Sequence, residues 1–377
     1  MGSMMKGWAT TEGTARYRAR FARTAAGDHF TQHRGLWLSS VGMGTYLGEP
    51  DDADDAAYDE AARAALPAGC NVFDCAINYR FQRSERALRG ALAALVAEKK
   101  IDREEFVVAT KGGFIPFDGG WPQDPAEWIR RTFIEPGIAR ADEIVADCHC
   151  MAPEYIEHQF EASRANLGLE TIDIYYLHNP ETQAGAMGRD AFLARLDAAF
   201  TVLERKVGHG KLRMYGTATW DGYRSAASEP GHLSLADVLA SAARAAAAAG
   251  ARTHHFAAVQ LPLNLAMPEA LLKATQSSPS GPVPPLEAAR AADLLVMASA
   301  SILQGHLIRR MPAQLSEGIQ GGKSLAQKAI QWVRSAPGVA TALVGMKSRR
   351  HVEENLALAA FPRMSAEAFQ NLLPARR

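Results

Sequence analysis

The sequence predicts a closed (β/α)8 barrel, and three observations carry that prediction. Apolar runs of strand length alternate with helix-length segments eight times between residues 38 and 358. Three consecutive runs end in a side chain able to handle protons: Asp74, Lys111 and His178. In a parallel α/β fold the C-terminal ends of the strands gather on one face, where catalytic groups converge. Finally, no run is followed by a Gly-x-Gly-x-x-Gly turn opening a helix, as an open dinucleotide-binding sheet would require. A doubly wound open sheet is the structural alternative.

Taken in order, residues 1–27 are polar, basic and rich in Ala and Thr, and are expected to be mobile or loosely packed. Gly2-Ser3 reads as a cloning scar before a native Met4 or Met5. Residues 28–37 read as a hairpin and 38–44 as the first barrel strand. A helix over 51–68 opens with acidic residues, where the macrodipole favours them. Strand 70–75 leads to a helix over 84–98 with Ser84 as its N-cap. Strands follow at 106–110, 172–177, 212–217, 256–261, 294–298 and 339–344. Helices are expected at 153–167, 190–206, 235–249, 286–292, 324–335 and 349–358. The Ala-rich 235–249 segment has high helix propensity and stops at Gly250. Pro337-Gly338 breaks the chain before the last strand. The barrel domain is expected over 28–362, with a C-terminal tail over 363–377.

Two connections are out of scale. Residues 112–152 separate the third strand from its helix, far beyond the usual two to six residues. They hold Phe114, Phe117, Trp121, Trp128 and Phe133. A long aromatic loop at the catalytic face is expected to cap a substrate pocket; packing on the side of the barrel is the plainer account. Residues 266–285, rich in Ser, Pro and Gly, are expected to be a surface loop.

Composition narrows the function. The 377 residues fit one large α/β barrel or two ordinary domains. Hydrophobic residues are 47% and charged residues 22%, ordinary for a globular protein. The formal net charge of +0 gives no electrostatic footprint for nucleic acid and no polybasic membrane patch. Four cysteines do not suggest a disulfide framework, and no apolar run approaches the roughly 18 residues of a membrane span. The expected compartment is the cytoplasm.

With Tyr79 added to Asp74, Lys111 and His178, the chain resembles the aldo/keto reductase family. The four residues stand in the order and at the strand ends of that family's catalytic tetrad. The resemblance runs from about Gly35 to Leu358. It includes Gly42-Met43-Gly44-Thr45, Gln304-Gly305, and Val344-Gly345-Met346-Lys347-Ser348 followed by Glu353-Glu354-Asn355-Leu356. It implies a TIM barrel whose N-terminal end is plugged by the 28–37 hairpin, and an enzyme acting on a small-molecule carbonyl or alcohol. It also implies a nicotinamide cofactor, NADPH with NADH possible, bound across the barrel mouth. The matching cofactor positions are Gly44, Thr45, Thr219, Gln260, Gly345, Lys347, Ser348, His351, Glu354 and Asn355. Lys347, with Arg349 or Arg350, is a candidate partner for a 2′-phosphate.

The chemistry of the four residues is consistent with that implication. A carbonyl that accepts hydride becomes an alkoxide and needs a proton, which a tyrosine supplies if its pKa, ordinarily about 10, is pulled toward neutrality. In the family's scheme Lys111 does this to Tyr79, Asp74 holds Lys111, and His178 donates a hydrogen bond to the carbonyl oxygen. Each residue also has a bland account: a turn cap, a surface aromatic, a solvated charge, a turn-starting histidine. Three positions depart from the family. Ala218 and Thr219 stand where a carboxamide-gripping Ser-Asn or Ser-Arg is usual, of which Thr219 can still donate a hydrogen bond and Ala218 cannot, and Ser299 stands where an aromatic stacks on the nicotinamide. Tyr46 and Trp220 are candidate substitutes. The departures keep open a non-redox lyase, dehydratase or isomerase using the same tetrad, and a cofactor-sensing subunit without turnover. Cys148-His149-Cys150 has metal-capable side chains but no second ligand pair, so no metal is expected there.

Overall fold

The computed structural model describes residues 4–373; the scar read at Gly2-Ser3 and the last residues of the tail lie outside them. A helix, α1 (Thr11–Ala19), and an antiparallel hairpin of β1 (Phe30–His33) and β2 (Leu36–Ser39) precede eight parallel strands. These are β3 (Val41–Gly44), β4 (Val72–Asp74), β5 (Val107–Gly112), β6 (Ile172–His178), β7 (Leu212–Ala218), β8 (Phe256–Pro262), β9 (Leu295–Ser299) and β10 (Val339–Gly345). Each pairs with the next, and β10 returns to β3, with Gly345 opposite Gly44, to close the barrel.

The helices alternate as expected. They are α2 (Asp52–Ala65), α3 (Arg83–Ala97), α4 (Pro125–Ile129), α5 (Pro153–Leu167), α6 (Glu181–Ala184), α7 (Arg189–Gly208), α8 (Leu235–Ala248), α9 (Glu269–Leu272), α10 (Pro285–Ala291), α11 (Ala313–Gly318), α12 (Leu325–Ser335), α13 (Arg349–Leu356) and α14 (Ala366–Gln370). Polar caps set their starts: the Asp51 side chain accepts from Asp54 N, Ser234 from Asp237 N, and Ser324 from Gln327 N. Among the described residues no helix is long and apolar enough to cross a membrane.

Two apolar clusters share the strands. Successive side chains of a strand point to opposite faces, and in a barrel wrapped by helices both faces are dry. Val72, Val107 and Ile174 face the barrel interior, while their neighbours Phe73, Val108 and Tyr175 pack outward under the helices. Leu36 and Leu38 of the hairpin join the interior cluster, so the hairpin plugs the N-terminal end of the barrel.

Several local expectations are corrected. The first strand read at 38–44 is divided: Leu36–Ser39 belongs to the hairpin and the barrel strand starts at Val41, because the Ser40 amide bonds back to His29 O. Ser84 does not cap α3. Its hydroxyl is buried and lies 2.6 Å from Thr45 Oγ1, while Gln82 stands at the cap position in a left-handed conformation (φ 71°) with no side-chain cap. Against the expectation of loose packing over 1–27, α1 is capped by Thr10, buries Tyr17, and ties to the barrel through an Arg20–Glu105 ion pair of 2.6 Å. The tail is also anchored: the Arg363 guanidinium donates to the Arg334 and Val339 carbonyls, and Phe369 stacks on Trp332. The 266–285 insert carries the short α9 and a buried Gln276 that accepts from Leu235 N.

The long connection is mostly side packing. It contains α4, a π-helical turn Arg130–Ile134 and a 3-10 turn Ala141–Glu143. Trp128 packs on Phe117 and Phe133, and Phe133 on Tyr155 of α5. Trp121 is 73% exposed. Of the five aromatics expected to cap a pocket, Phe114 alone lines the cavity described next.

Candidate active site

Strand parity delivers the site. Val72 faces the barrel interior, so Asp74 two residues on does too; Ala109 leads to Lys111, and Tyr176 to His178. On the far side Ala258 leads to Gln260, Met297 to Ser299, and Leu343 to Gly345. Every one of these side chains leaves the apolar interior at its C-terminal mouth. There Asp74, His178, Gln260, Ser299 and Gly345 line a cavity of about 500 Å3 with Gly44, Thr45, Tyr79, Ala218 and Thr219, while Lys111 is wholly buried against Asp74.

The Lys111 ammonium is completely buried. Its Nζ donates to Asp74 Oδ2 at 2.6 Å and to the Cys75 carbonyl at 2.8 Å, and lies 4.7 Å from the centre of the Tyr79 ring. Gln260 Nε2 donates to the other Asp74 oxygen at 2.7 Å, so the carboxylate is fully engaged. Burial disfavours the Lys111 charge, but Asp74 and the Tyr79 phenol outweigh it and its pKa rises to about 12. For Tyr79 burial is the stronger influence. It pushes the phenol to about 12, against the opposing pull of Lys111, so the pKa is not drawn toward neutrality as expected. His178 is held well below its ordinary pKa, first by burial and then by the nearby Lys111 charge, and is neutral. Its ring lies edge-on to Tyr79 at 5.8 Å, with Nδ1 buried and without a partner. A neutral imidazole and a neutral phenol are thus placed side by side over a buried cation.

The structure brings together Gly44, Thr45, Thr219, Gln260 and Gly345 with Asp74, Tyr79 and His178 on one cavity, and Lys111 lies buried behind it, bonded to Asp74. Thr45 Oγ1 donates to the Asp74 carbonyl at 2.9 Å, whereas Thr219 Oγ1 is buried with no partner. Lys347, Ser348, His351, Glu354 and Asn355 do not line that cavity; they lie beyond it, before and on α13. Ser348 caps α13, accepting from His351 N. Lys347 Nζ is engaged by both oxygens of Asp54 at 2.8 and 3.0 Å, and Arg349 by Glu353 at 2.9 Å. The Gly44–Gly345 pair leaves that wall as bare backbone, and Thr219, whose buried hydroxyl has no partner, lines the same cavity. An elongated polar molecule running from the tetrad toward α13 fits those two observations.

The sequence reading missed Asn78, whose buried Oδ1 has no partner, and Asn179, which turns the chain after His178 at φ 46°. Both line the cavity. The only signal was that each adjoins a tetrad residue. It also missed Asp54, read as one more acid of a helix start. Tyr46 and Trp220 are 55% and 41% exposed on the rim, with Tyr46 edge-on to Tyr79 at 5.0 Å.

The model of the aldo/keto reductase family matches residues 40–235, over half of the chain. An NADH-specific methylglyoxal reductase of Escherichia coli K12 is 28% identical over 191 residues, which is 49% of this chain and 50% of that protein. A 6-dehydroglucose reductase of Novosphingobium aromaticivorans is 30% identical over 138 residues, 35% of this chain and 43% of that one. The chain therefore spans half or less of the length of these curated relatives. In fold it is similar to an aldo/keto reductase of Klebsiella pneumoniae solved with NADP and acetate (TM-score 0.58, 20% identity, 91% of this chain and 95% of that one). It is likewise similar to an aldo-keto reductase of Bacillus halodurans in its holo form (TM-score 0.61, 18% identity, 92% and 97%).

Proposed function

Because the chain belongs to the aldo/keto reductase family, we propose that it is an NAD(P)H-dependent oxidoreductase acting on an aldehyde, ketone or lactol, with Tyr79 as its general acid and base. The observation that carries this reading is the wholly buried Lys111 ammonium, 2.6 Å from Asp74 and 4.7 Å from the Tyr79 ring, both of which line one cavity with His178. A dry barrel gains nothing structurally from a cation there; burying one is costly unless it is paired and put to use.

A bound reduced nicotinamide supplies the hydride for the carbonyl carbon. His178, neutral, donates a hydrogen bond to the carbonyl oxygen and orients it. The Tyr79 hydroxyl gives its proton to the same oxygen as negative charge develops, and the phenolate left behind is stabilised by Lys111. Asp74 and Gln260 keep Lys111 charged and in place. Thr219, Gln260 and the backbone at Gly44, Thr45 and Gly345 would hold the nicotinamide end, with Lys347, Ser348, His351, Glu354 and Asn355 toward the adenosine. NADPH is the first candidate, since the Klebsiella protein was solved with NADP. NADH is the second, since the E. coli relative is NADH-specific and Lys347 here is already paired with Asp54.

The test follows the absorbance of reduced nicotinamide with methylglyoxal, oxidised sugars and simple aldehydes. Substrate-dependent oxidation is expected, abolished by Tyr79→Phe while cofactor binding, read by tryptophan fluorescence, stays near wild type. A fully active Tyr79→Phe enzyme would refute the role. The small side chains at Ala218 and Ser299 favour one second reading, proton transfer without hydride. Turnover unchanged after removal of all nicotinamide would select it.

A further inference from the structure

Resting on that reading, we propose that His149 is a positioning residue for His178, latching the long β5–α5 connection to the active site. His149 is completely buried, and its Nε2 lies 2.6 Å from the His178 carbonyl oxygen. A carbonyl only accepts, so Nε2 carries the proton and Nδ1 the lone pair. The second contact agrees: Gln183 Nε2 lies 3.3 Å from Nδ1 and donates to it, and its other proton goes to the His149 carbonyl at 2.9 Å. Gln183, also fully buried, sits on α6 just after His178. The bonds therefore close a ring: His178 runs through the left-handed Asn179 to Gln183, Gln183 fixes the His149 tautomer, and His149 returns to His178.

Two further contacts converge on this ring. The Phe114 ring meets His149 at 5.1 Å and His178 at 5.0 Å, edge-on to both. Gly113, at φ +143°, has no room for a side chain: a Cβ there would lie 2.8 Å from His149 Nε2 and 2.9 Å from the His178 carbonyl oxygen. The glycine is thus the space the latch occupies. Burial holds His149 down to about 4, so it stays neutral and the donor pattern persists through the working pH range. His178 offers its ring to the cavity with no side-chain partner on Nδ1. Its direction is set by the Tyr79 and Phe114 rings packed on it and by the backbone it hangs from, and His149 is a side chain bonded to that backbone. This gives Cys148-His149-Cys150 a role that metal binding would not.

Displacing a positioned group by about 1 Å costs up to about a hundredfold in rate. His149→Ala is expected to lower kcat ten- to hundredfold with cofactor affinity unchanged, and His149→Gln, whose amide can donate to the same carbonyl, to restore most of it. In nitrogen-detected spectra of the histidine rings, His178 is expected to shift and broaden in His149→Ala and to return in His149→Gln. Gly113→Ala attacks the same bond from the other side and should reproduce the kcat loss. Wild-type kcat with unchanged His178 signals in His149→Ala would overturn the proposal. So would a loss that glutamine fails to rescue and that cofactor affinity shares, which is loop packing alone. A fully active Tyr79→Phe enzyme would sink the tetrad reading instead, and the His178 ring spectra would still decide the latch.

Discussion

The two walls of the barrel mouth are built on opposite plans. On the β4–β6 side Asp74 and Lys111 satisfy each other at 2.6 Å, Gln260 reaches across from β8 to the second Asp74 oxygen at 2.7 Å, and His178 is tied in through its backbone. On the β7, β9 and β10 side the wall is Ala218, Ser299, bare backbone at Gly345 and an unpartnered Thr219 hydroxyl. Beyond it Lys347 and Arg349 are held by acids on the surface. On the proposed function the difference follows from what each wall would do. Electrostatic stabilisation works when the dipoles are already oriented as charge develops, so groups that handle protons must be fixed beforehand. A wall that admits an elongated molecule can exchange partners on binding, because exposed ion pairs are worth only about 0–1 kcal/mol and break cheaply.

The first way to break this contrast is to remove its centre. Lys111→Met leaves Asp74 charged in a dry site and should destabilise the fold by about 3–5 kcal/mol, read by denaturant unfolding. Adding Asp74→Asn should recover much of that. Activity should fall by about a hundredfold or more in both, since proton transfer by a positioned group contributes about 10^2–10^4. The pH dependence carries a sign. Burial holds the Tyr79 phenol at about 12 despite Lys111, so reduction, which uses the phenol, should be flat through neutral pH. Alcohol oxidation needs the phenolate and should climb with alkalinity. Without the Lys111 cation that favours the phenolate, the climb should move to still higher pH. An unmoved profile would mean that Lys111 is only a structural cation.

The same contrast explains what the sequence disclosed. All eight strands were legible because each is a short apolar run, and the tetrad because parity puts strand-end residues on one face. Tyr79, off any strand, was legible only through resemblance. The direction of its pKa was not legible, because Lys111 and burial act in opposition and composition cannot weigh them. The use of Ser84, His149 and Asp54 was hidden for another reason. Each is set by a contact between residues at least 29 apart in the chain: Ser84 with Thr45, His149 with His178, and Asp54 with Lys347. The packed α1 was missed because its apolar content is low; Tyr17 is its one large buried side chain.

A smaller effect sharpens the adaptable wall. Asp54 accepts from Lys347 and from the Glu49 amide, so it straps the loop after β3 to the segment before α13. Asp54→Asn removes the charge that occupies Lys347 and should raise NADPH affinity relative to NADH by about threefold, the scale of an exposed pair. Kd values for both cofactors from fluorescence titration decide it. An unchanged ratio would take Lys347 out of the cofactor site.

The smallest expected effect tests whether the Trp121 ring of the long connection bears on the tetrad. Trp121, exposed as it is, packs on Phe81 at 5.5 Å and on Phe117 at 5.0 Å. Phe81 belongs to the turn Arg80-Phe81-Gln82 directly after Tyr79, three successive non-glycine residues with φ of 47°, 54° and 71°. Such a run costs on the order of 1–2 kcal/mol per residue and must be held from outside. Arg80 is paired with Asp55 at 2.7 Å, Gln82 Nε2 donates to the Pro116 carbonyl at 3.2 Å, and the Gly119 amide donates to the Phe81 carbonyl at 3.0 Å. None of these bonds uses the Trp121 ring. Trp121→Ala should therefore leave kcat within about twofold and stability within about 0.5 kcal/mol, as for surface substitutions generally. A tenfold loss of kcat would show that the Trp121 ring also braces Tyr79 through Phe81, and that the prebuilt wall extends beyond β4–β6 to the outer face of the loop.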